Sequence, residues 1–412
     1  MLKLLYLTLF SSLAFGEDLH SLLQFAQEHN NILNAEKIAI HVKQKELKSA
    51  KATLYPSVDL GAFYIRKDEA NPFSPGTTYG IKAKVGFDFY DGGVKNYSIE
   101  KKKAQLRATQ FAYGGKKKAM MLAITQDFYQ LQSLHASLDA REEASKAVVA
   151  QLQRVKKFYA VKMATSDDVD RLQSAYDRNI YIIESLKFQI FSLKKSLELK
   201  VGKPINTLEI SKFQKSFSQK KIQLDTISAM QYNKQALQKA SKSLGSAYYP
   251  HIRIEDSYSF FGYDDKPLFA GEPIPLLDKQ NTLMATLNVH LFDAGVIQKQ
   301  KEALLLQAQE LNEQIIYKTK EQKMAIALAL KRIETVGLKI KSSRSALKSA
   351  RSALETITQK YNAGIVDNVV YLDALSSKTE AKALYEKALN DLEVAYAFYY
   401  YYTGKNIEEY IQ

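Results

Sequence analysis

The side chains that most often carry chemistry are spaced here for none of it. The six histidines, His20, His29, His41, His135, His251 and His290, include no His-x-x-x-His or similar pair that would hold a metal ion. His135 falls on an apolar helical seam and reads as a core or pore-lining residue, and His290 falls on the polar side of a strand. Gly202-Lys203 lacks the upstream glycine and the following Ser or Thr of a phosphate loop. There is no Gly-x-Ser-x-Gly elbow. Cysteine is absent, which excludes disulfides, thiol catalysis and an N-terminal lipid anchor on Cys. Carboxylates are plentiful, but no two of them stand out as an acid and base pair. No catalytic residue, cofactor or metal is expected, and the chain does not read as an enzyme.

The residues therefore point to architecture. The chain has 412 residues, with few Pro (8) and Gly (17), so long disordered linkers are not expected. Ala, Leu, Lys, Gln and Glu favour long helices. Lys3 followed by the short apolar run Leu4 to Leu13 and by Ala14-Phe15-Gly16 reads as a Sec-type signal peptide over 1–16, although a buried first helix would share that pattern. No later apolar run is long enough for a helical span, so entry into a membrane would require a closed β-barrel. The net charge of +14 raises the question of nucleic acid. A secreted chain meets little of it, and the Lys and Arg residues sit among Gln, Glu and Ser as on solvated helix faces, so no nucleic-acid partner is expected.

The sequence repeats itself. Tyr90-Asp91-Gly92-Gly93-Val94 returns as Phe292-Asp293-Ala294-Gly295-Val296, 202 positions later. Tyr159 returns as Tyr361 and Gly202-Lys203 as Gly404-Lys405 at the same offset. The apolar residues Ile124, Phe128, Leu131 and Leu138 match Ile326, Leu330, Ile333 and Ile340. Leu54-Tyr55-Pro56 matches Tyr248-Tyr249-Pro250 at an offset of 194, which places a longer loop in the second copy. The expected organisation is repeat 1 over 17–205, a polar linker over 206–223 and repeat 2 over 224–412. A duplication of this length points to architecture rather than catalysis.

Each copy predicts a helix, a strand pair and a long helical hairpin. The strands fall at 56–66 and 79–91, then at 250–263 and 281–293. Ile81, Ala83, Val85, Phe87 and Phe89 alternate with Gly80, Lys82, Lys84, Gly86 and Asp88. Leu283, Ala285, Leu287, Val289 and Leu291 alternate likewise, whereas Asp256 interrupts the apolar face of its strand. Each run has the length of a tilted transmembrane strand, although a soluble half-buried sheet would alternate in the same way. Pro72, Pro75 and Gly76, and later Pro267, Gly271, Pro273 and Pro275, mark surface loops. The hairpins are expected over 92–202 and 294–404. Met121, Ile124, Phe128, Leu131, Leu138, Val148, Leu152, Val155 and Tyr159 follow largely the steps of three and four of a coiled-coil seam. A helix of some 65 residues would be about 100 Å long and must pack on similar helices.

Four strands cannot close a barrel, so identical chains must supply strands in turn; the count per chain sets only a multiple of four. A soluble periplasmic coiled-coil adaptor or scaffold is the competing reading, since its hairpins would show the same periodicity. The duplicated strand pairs argue against it. A peripheral membrane-bending helical protein is disfavoured by the signal segment and by the strands.

In this order the motifs resemble the TolC family of outer-membrane efflux proteins over nearly the whole mature chain. The likeness is carried by Leu19 to Ala26 with Asn30-Asn31 and Leu33, by Tyr55-Pro56 and Tyr249-Pro250, by the two strand-to-helix passages after Tyr90 and Phe292, and by Tyr361-Asn362-Ala363-Gly364 with Val369 to Ala374. The resemblance implies a mixed, mainly α fold: a homotrimer with a twelve-stranded transmembrane β-barrel, four strands per chain, continued by a long α-helical periplasmic barrel of coiled-coil hairpins. It implies insertion into outer-membrane lipid. It also implies docking of a periplasmic adaptor and an inner-membrane transporter, and export of drugs, metals or proteins.

The same resemblance implies a gate at the periplasmic tip. Asp373 falls on one family aspartate-ring position, and the other is Val370 here. Asp168 and Tyr361 fall on positions that link neighbouring tip helices. Val366 replaces the basic partner expected near the second tip, and Lys162 stands where the second copy keeps Gly364. Three carboxylates in a narrow pore would draw in cations while repelling one another. Asp373 also reads as a helix N-terminal carboxylate favoured by the dipole, and Gly364 as a turn glycine.

Overall fold

The structure is a computed structural model, and it describes residues 17–68, 75–217, 222–264 and 266–412. The signal segment over 1–16 and Pro72 lie outside the described residues. The chain begins with helices α1 (Leu19–His29) and α2 (Asn31–Ala52), followed by strands β1 (Ser57–Arg66) and β2 (Thr77–Tyr90). Helices α3 (Val94–Ala160), α4 (Ser166–Val201) and α5 (Asp225–Gly245) come next. Strand β3 (His251–Asp264), the two-residue strands β4 (Leu268–Phe269) and β5 (Glu272–Pro273), and strand β6 (Lys279–Asn288) precede helices α6 (Val296–Asn362) and α7 (Asn368–Tyr402). The fold is mainly helical with a small antiparallel sheet. Among the described residues no helix is long and apolar enough to cross a membrane.

Two compact units divide the chain, and they do not follow the repeats expected over 17–205 and 224–412. The first comprises Met1–Lys37, Tyr113–Asp225 and Lys318–Gln412; the second comprises Ile38–Ala112 and Thr226–Tyr317. Each unit therefore takes residues from both expected repeats.

In the first unit α1 starts at an Asp18 cap, whose carboxylate accepts from the Ser21 N–H. Leu19, Leu22 and Leu23 of α1 pack into one core with Phe128, Tyr129 and Tyr400. The segment after residue 205, expected as a polar linker, lies across this core. Phe213 is only 3% exposed, the Tyr129 hydroxyl donates to the Ser211 carbonyl at 3.0 Å, and short bridges join Glu17 to Leu208 and Phe213 to Ile411. Two apolar anchors, Ile205 and Phe213, outweigh the polar residues around them.

In the second unit the sheet order is β1-β2-β3-β6, antiparallel throughout, and β2 pairs with β3 to join the two hairpins. Strand β6 ends at Asn288, short of the expected 293. The reason is local: Asp293 folds back to accept from the N–H groups of Gly295 (3.0 Å) and Ile297 (2.8 Å), turning the chain into α6. Asp91 makes the matching bonds to Gly93 (2.9 Å) and Lys95 (2.7 Å) before α3. The backbone has other such echoes. Gly92 and Ala294, Gly93 and Gly295, Lys162 and Gly364, and Gly202 and Gly404 are all left-handed and 202 positions apart. The remaining left-handed residues among the described ones, Ala270 and Gly271, sit in the β4–β5 turn.

Candidate functional site

Two features of the fold bear on function: the faces of the sheet and the tip of the helical hairpins.

On the sheet, the pairing aligns Val58 with Val85, Leu60 with Ala83 and Tyr258, and Ile81 with Phe260 on one face. Leu283, Ala285 and Leu287 continue that face across β6. It is bare in the chain, with Val58 and Leu60 75% and 77% exposed. Asp256 stands on this face between Val85 and Leu283, as its place in the alternation requires. The opposite face carries a chain of ion pairs from strand to strand. Lys84 lies between Asp59 (3.9 Å) and Glu255 (3.7 Å), Arg253 between Glu255 (3.6 Å) and Asp88 (2.8 Å), and Lys95 closes on Asp88 (2.8 Å). One face is thus apolar and the other charged. Within the chain β1 and β6 each pair on one side only.

The tip lies in the first unit, where α3 turns into α4 and α6 into α7. Both turns close alike. The Lys162 N–H donates to the Tyr159 carbonyl and the Gly364 N–H to the Tyr361 carbonyl, while Met163 reaches back to Phe158 and Ile365 to Lys360. These are left-handed C-terminal caps, which favour glycine; Lys162 occupies one at φ 62°. A Cβ on Gly364 would meet nothing within 4 Å, so its φ of +73°, not crowding, accounts for the glycine.

Thr165 caps α4 in a reciprocal box with Asp168. The Thr165 hydroxyl accepts from the Asp168 N–H (3.2 Å), and an Asp168 oxygen accepts from the Thr165 N–H (3.2 Å). The other Asp168 oxygen accepts from the amide of Asn368 (3.0 Å), which is buried in the first turn of α7. Tyr361 stacks on Tyr371 with ring centres 5.1 Å apart, and burial raises both phenols above their ordinary pKa. Both rings border a core formed by Val148, Leu152, Val155, Leu172 and Leu375.

Of the four tip residues singled out in the sequence, Asp168, Tyr361 and Gly364 lie at the joined turns. Asp373 is exposed on α7, beyond its first turn. The helix-dipole reading of Asp373 is corrected, since Asp367 is the capping carboxylate and accepts from the Val370 N–H at 3.1 Å. Asn368, Thr165 and Tyr371 were not singled out. Thr165-x-x-Asp168 is a readable capping pattern, but nothing local marks Asn368 as the partner of a residue 200 positions away. Among the described residues no group of three or more His, Asp or Glu could hold a metal ion.

The fold is similar to that of solved outer-membrane channels. The outer membrane protein VceC of Vibrio cholerae superposes with a TM-score of 0.80 at 15% identity, over 94% of this chain and 96% of that one. The Campylobacter jejuni CmeC outer membrane channel gives a TM-score of 0.84 at 14% identity, over 94% and 85%. The Neisseria gonorrhoeae MtrE outer membrane channel, in its open state, gives 0.77 at 14%, over 94% and 89%. No curated protein matches the sequence. Residues 22–179, from within α1 through the first strand pair and α3 into α4, match the outer membrane efflux protein family, so the resemblance to outer-membrane efflux proteins of the TolC type stands as a finding.

Proposed function

We propose that this protein is the outer-membrane exit duct of a tripartite efflux or type I secretion system. In this reading it is a homotrimer of internally duplicated chains. Three four-stranded sheets join edge to edge into a twelve-stranded barrel, and the helices form a passive periplasmic tunnel. The tunnel's tip meets a periplasmic adaptor and, through it, an inner-membrane transporter that supplies the energy.

The observation that carries the proposal is the sheet. It is apolar on one face, charged on the other, and open at both β1 and β6. In lipid each unpaired backbone group would cost several kcal/mol, so only closure by further strands makes such a sheet stable in a membrane. Closure would turn the Asp59–Lys84–Glu255–Arg253–Asp88 run towards a water-filled lumen and the apolar face towards lipid. A soluble scaffold is disfavoured, because it would leave this apolar face in water. The recurrence of four left-handed positions at one offset supports the duplication.

At the tip, Asp168, Tyr361 and Gly364 belong to the contacts that would hold the hairpins together, and Asp373 would supply one carboxylate per subunit to a cation-attracting ring. The test is to extract the protein from membranes, measure the mass of its detergent complex, and record currents in planar bilayers. A trimer with stable conductance is expected. A water-soluble monomer would overturn the proposal.

A further inference from the structure

We infer that the inner wall of the barrel carries a contact site for amphipathic organic anions, built from Lys82, Phe63 and Phe261 on the charged face of the sheet. The inference rests on the reading of this protein as a duct whose charged face lines the lumen, and it names a class of cargo for that lumen.

The register brings these side chains together. Gly80 of β2 stands between Phe63 of β1 and Phe261 of β3. Lys82, the next residue of β2 on that face and about 7 Å further along the strand, stands between Gly61 and Ser259. The rings of Phe63 and Phe261 meet edge to face with centres 5.9 Å apart, and Tyr263 stacks on Phe261 at 6.2 Å. A Cβ on Gly80 would lie 2.9 Å from the Phe63 Cζ, so the missing side chain is what lets that ring lie over β2. A Cβ on Gly61 would meet nothing within 4 Å, which leaves open space beside Lys82. A trough of about 480 Å³ runs over this patch, and Phe63, Lys82, Ser257, Ser259 and Phe261 are among its lining.

Charge sets Lys82 apart from the other basic residues of this face. Lys84 lies near Asp59 and Glu255, and Arg253 lies near Glu255 and Asp88. Lys95 closes on Asp88 from the start of α3. The carboxylates of the face are therefore committed to Lys84, Arg253 and Lys95. Lys82 is exposed and has no ion pair or hydrogen bond among the described residues. It leaves one uncompensated ammonium per chain. Glu255 also borders the trough, but its carboxylate is held between Lys84 and Arg253.

A free ammonium beside clustered rings suits one kind of molecule. An anionic group would pair with Lys82 through a charge-assisted hydrogen bond, the strong kind. Ser257 and Ser259, each 8% exposed and without a side-chain hydrogen bond among the described residues, offer hydroxyl donors in the same trough. A flat apolar body would cover the rings of Phe63 and Phe261, which otherwise meet the water of the lumen. A cation would gain from the rings but meet the charge of Lys82. The three patches of a trimer are also kept from closing on one another, because three unpaired ammoniums repel. A bound anion relieves that repulsion. The chemistry therefore favours cargo that is both anionic and flat.

The test is block of the current in planar bilayers by naphthalenesulfonate, added on the side of the β1–β2 loop. Calorimetry with the same probe on the detergent-solubilised protein gives a reading that does not depend on conductance. Concentration-dependent block is expected, with methanesulfonate and naphthyltrimethylammonium both much weaker. Lys82→Gln is expected to raise the half-blocking concentration about tenfold, the worth of one charge-assisted hydrogen bond. Phe261→Leu is expected to raise it about threefold, the worth of one ring contact. The calorimetric Kd should move by the same factors. Equal block of Lys82→Gln and of the unsubstituted protein overturns the site, and so does equal block by methanesulfonate or by the ammonium probe. In each of these cases a steady conductance leaves the duct reading standing. No conductance from the unsubstituted protein overturns the duct reading, and with it the lumen that the site requires. If Phe261→Leu does not assemble, Lys82→Gln, at an exposed side chain, still decides.

Discussion

Asn368, buried in the first turn of α7, donates from its side-chain amide to both the backbone carbonyl (3.2 Å) and the Oδ1 (3.0 Å) of Asp168 in α4. The Oδ2 of Asp168 meanwhile accepts from the hydroxyl of Thr165 at 2.8 Å. One carboxylate therefore caps the first hairpin and clasps the second. Any motion that separates the hairpins at the tip must break this clasp.

Asn368→Ala is expected to loosen the clasp and spare the cap, costing about 1–2 kcal/mol locally for the two bonds lost. Asp168→Ala removes both functions and should cost more, since losing a cap alone is worth about 1 kcal/mol. Hydrogen exchange at 161–168 and 363–371 reads the difference. Protection equal to the unsubstituted protein in both variants would show that the clasp carries no weight.

Lys162 and Gly364 give a matched pair of backbone tests. A left-handed residue other than glycine costs about 1–2 kcal/mol, so Lys162→Gly is expected to stabilise the first turn by about 1 kcal/mol, and Gly364→Lys to destabilise the second by a similar amount. Exchange rates at the two turns should move in opposite directions. If Gly364→Lys is silent, the left-handed geometry is not what the turn requires.

Much of this was legible in the sequence, and the limits have physical causes. The long helices show because a three-and-four spacing persists over many turns, and β2 shows because its alternation is unbroken from Ile81 to Phe89. The end of β6 does not, since Val289 and Leu291 continue the alternation while Asp293 turns the chain. Phe213 was hidden for the opposite reason, an apolar residue set between the polar Lys212 and Gln214. Among the tip residues, Tyr361 stood out through the repeat, and Gly364 through the family resemblance, since the first copy has Lys162 in its place. Asn368 did not, because its value lies in a partner 200 positions away.

Asp373→Asn is expected to weaken block by cations and to change the asymmetry of the current in planar bilayers, because the exposed carboxylate would no longer attract cations to the pore. Unchanged currents would remove Asp373 from the gate.

Glu143 ties α3 to α7 in a pH-dependent way. The hydrogen bonds from Lys378 and then Lys382 hold its carboxyl at about 2, below the ordinary 4.5. A lowered carboxylate stabilises the fold above its unfolded pKa, and that contribution is lost as pH falls from 4.5 towards 2. Glu143→Gln should therefore lower the melting temperature at neutral pH and much less near pH 2, where most of that contribution is already lost in the unsubstituted protein. The effect is expected to be modest, because the pair is half-exposed and screened. An equal loss at both ends of the range would assign the effect to packing instead.

A shared barrel requires the open edges of the sheet, β1 and β6, to be joined by neighbouring chains. Leu60→Cys on β1, combined in turn with Leu283→Cys, Ala285→Cys and Leu287→Cys on the same face of β6, samples the possible alignments of that junction. Oxidation of membrane-inserted protein is expected to give covalent trimers, reversible by reductant, with at least one of these combinations. If every combination stays monomeric, or yields a bond only within one chain, the shared barrel is contradicted.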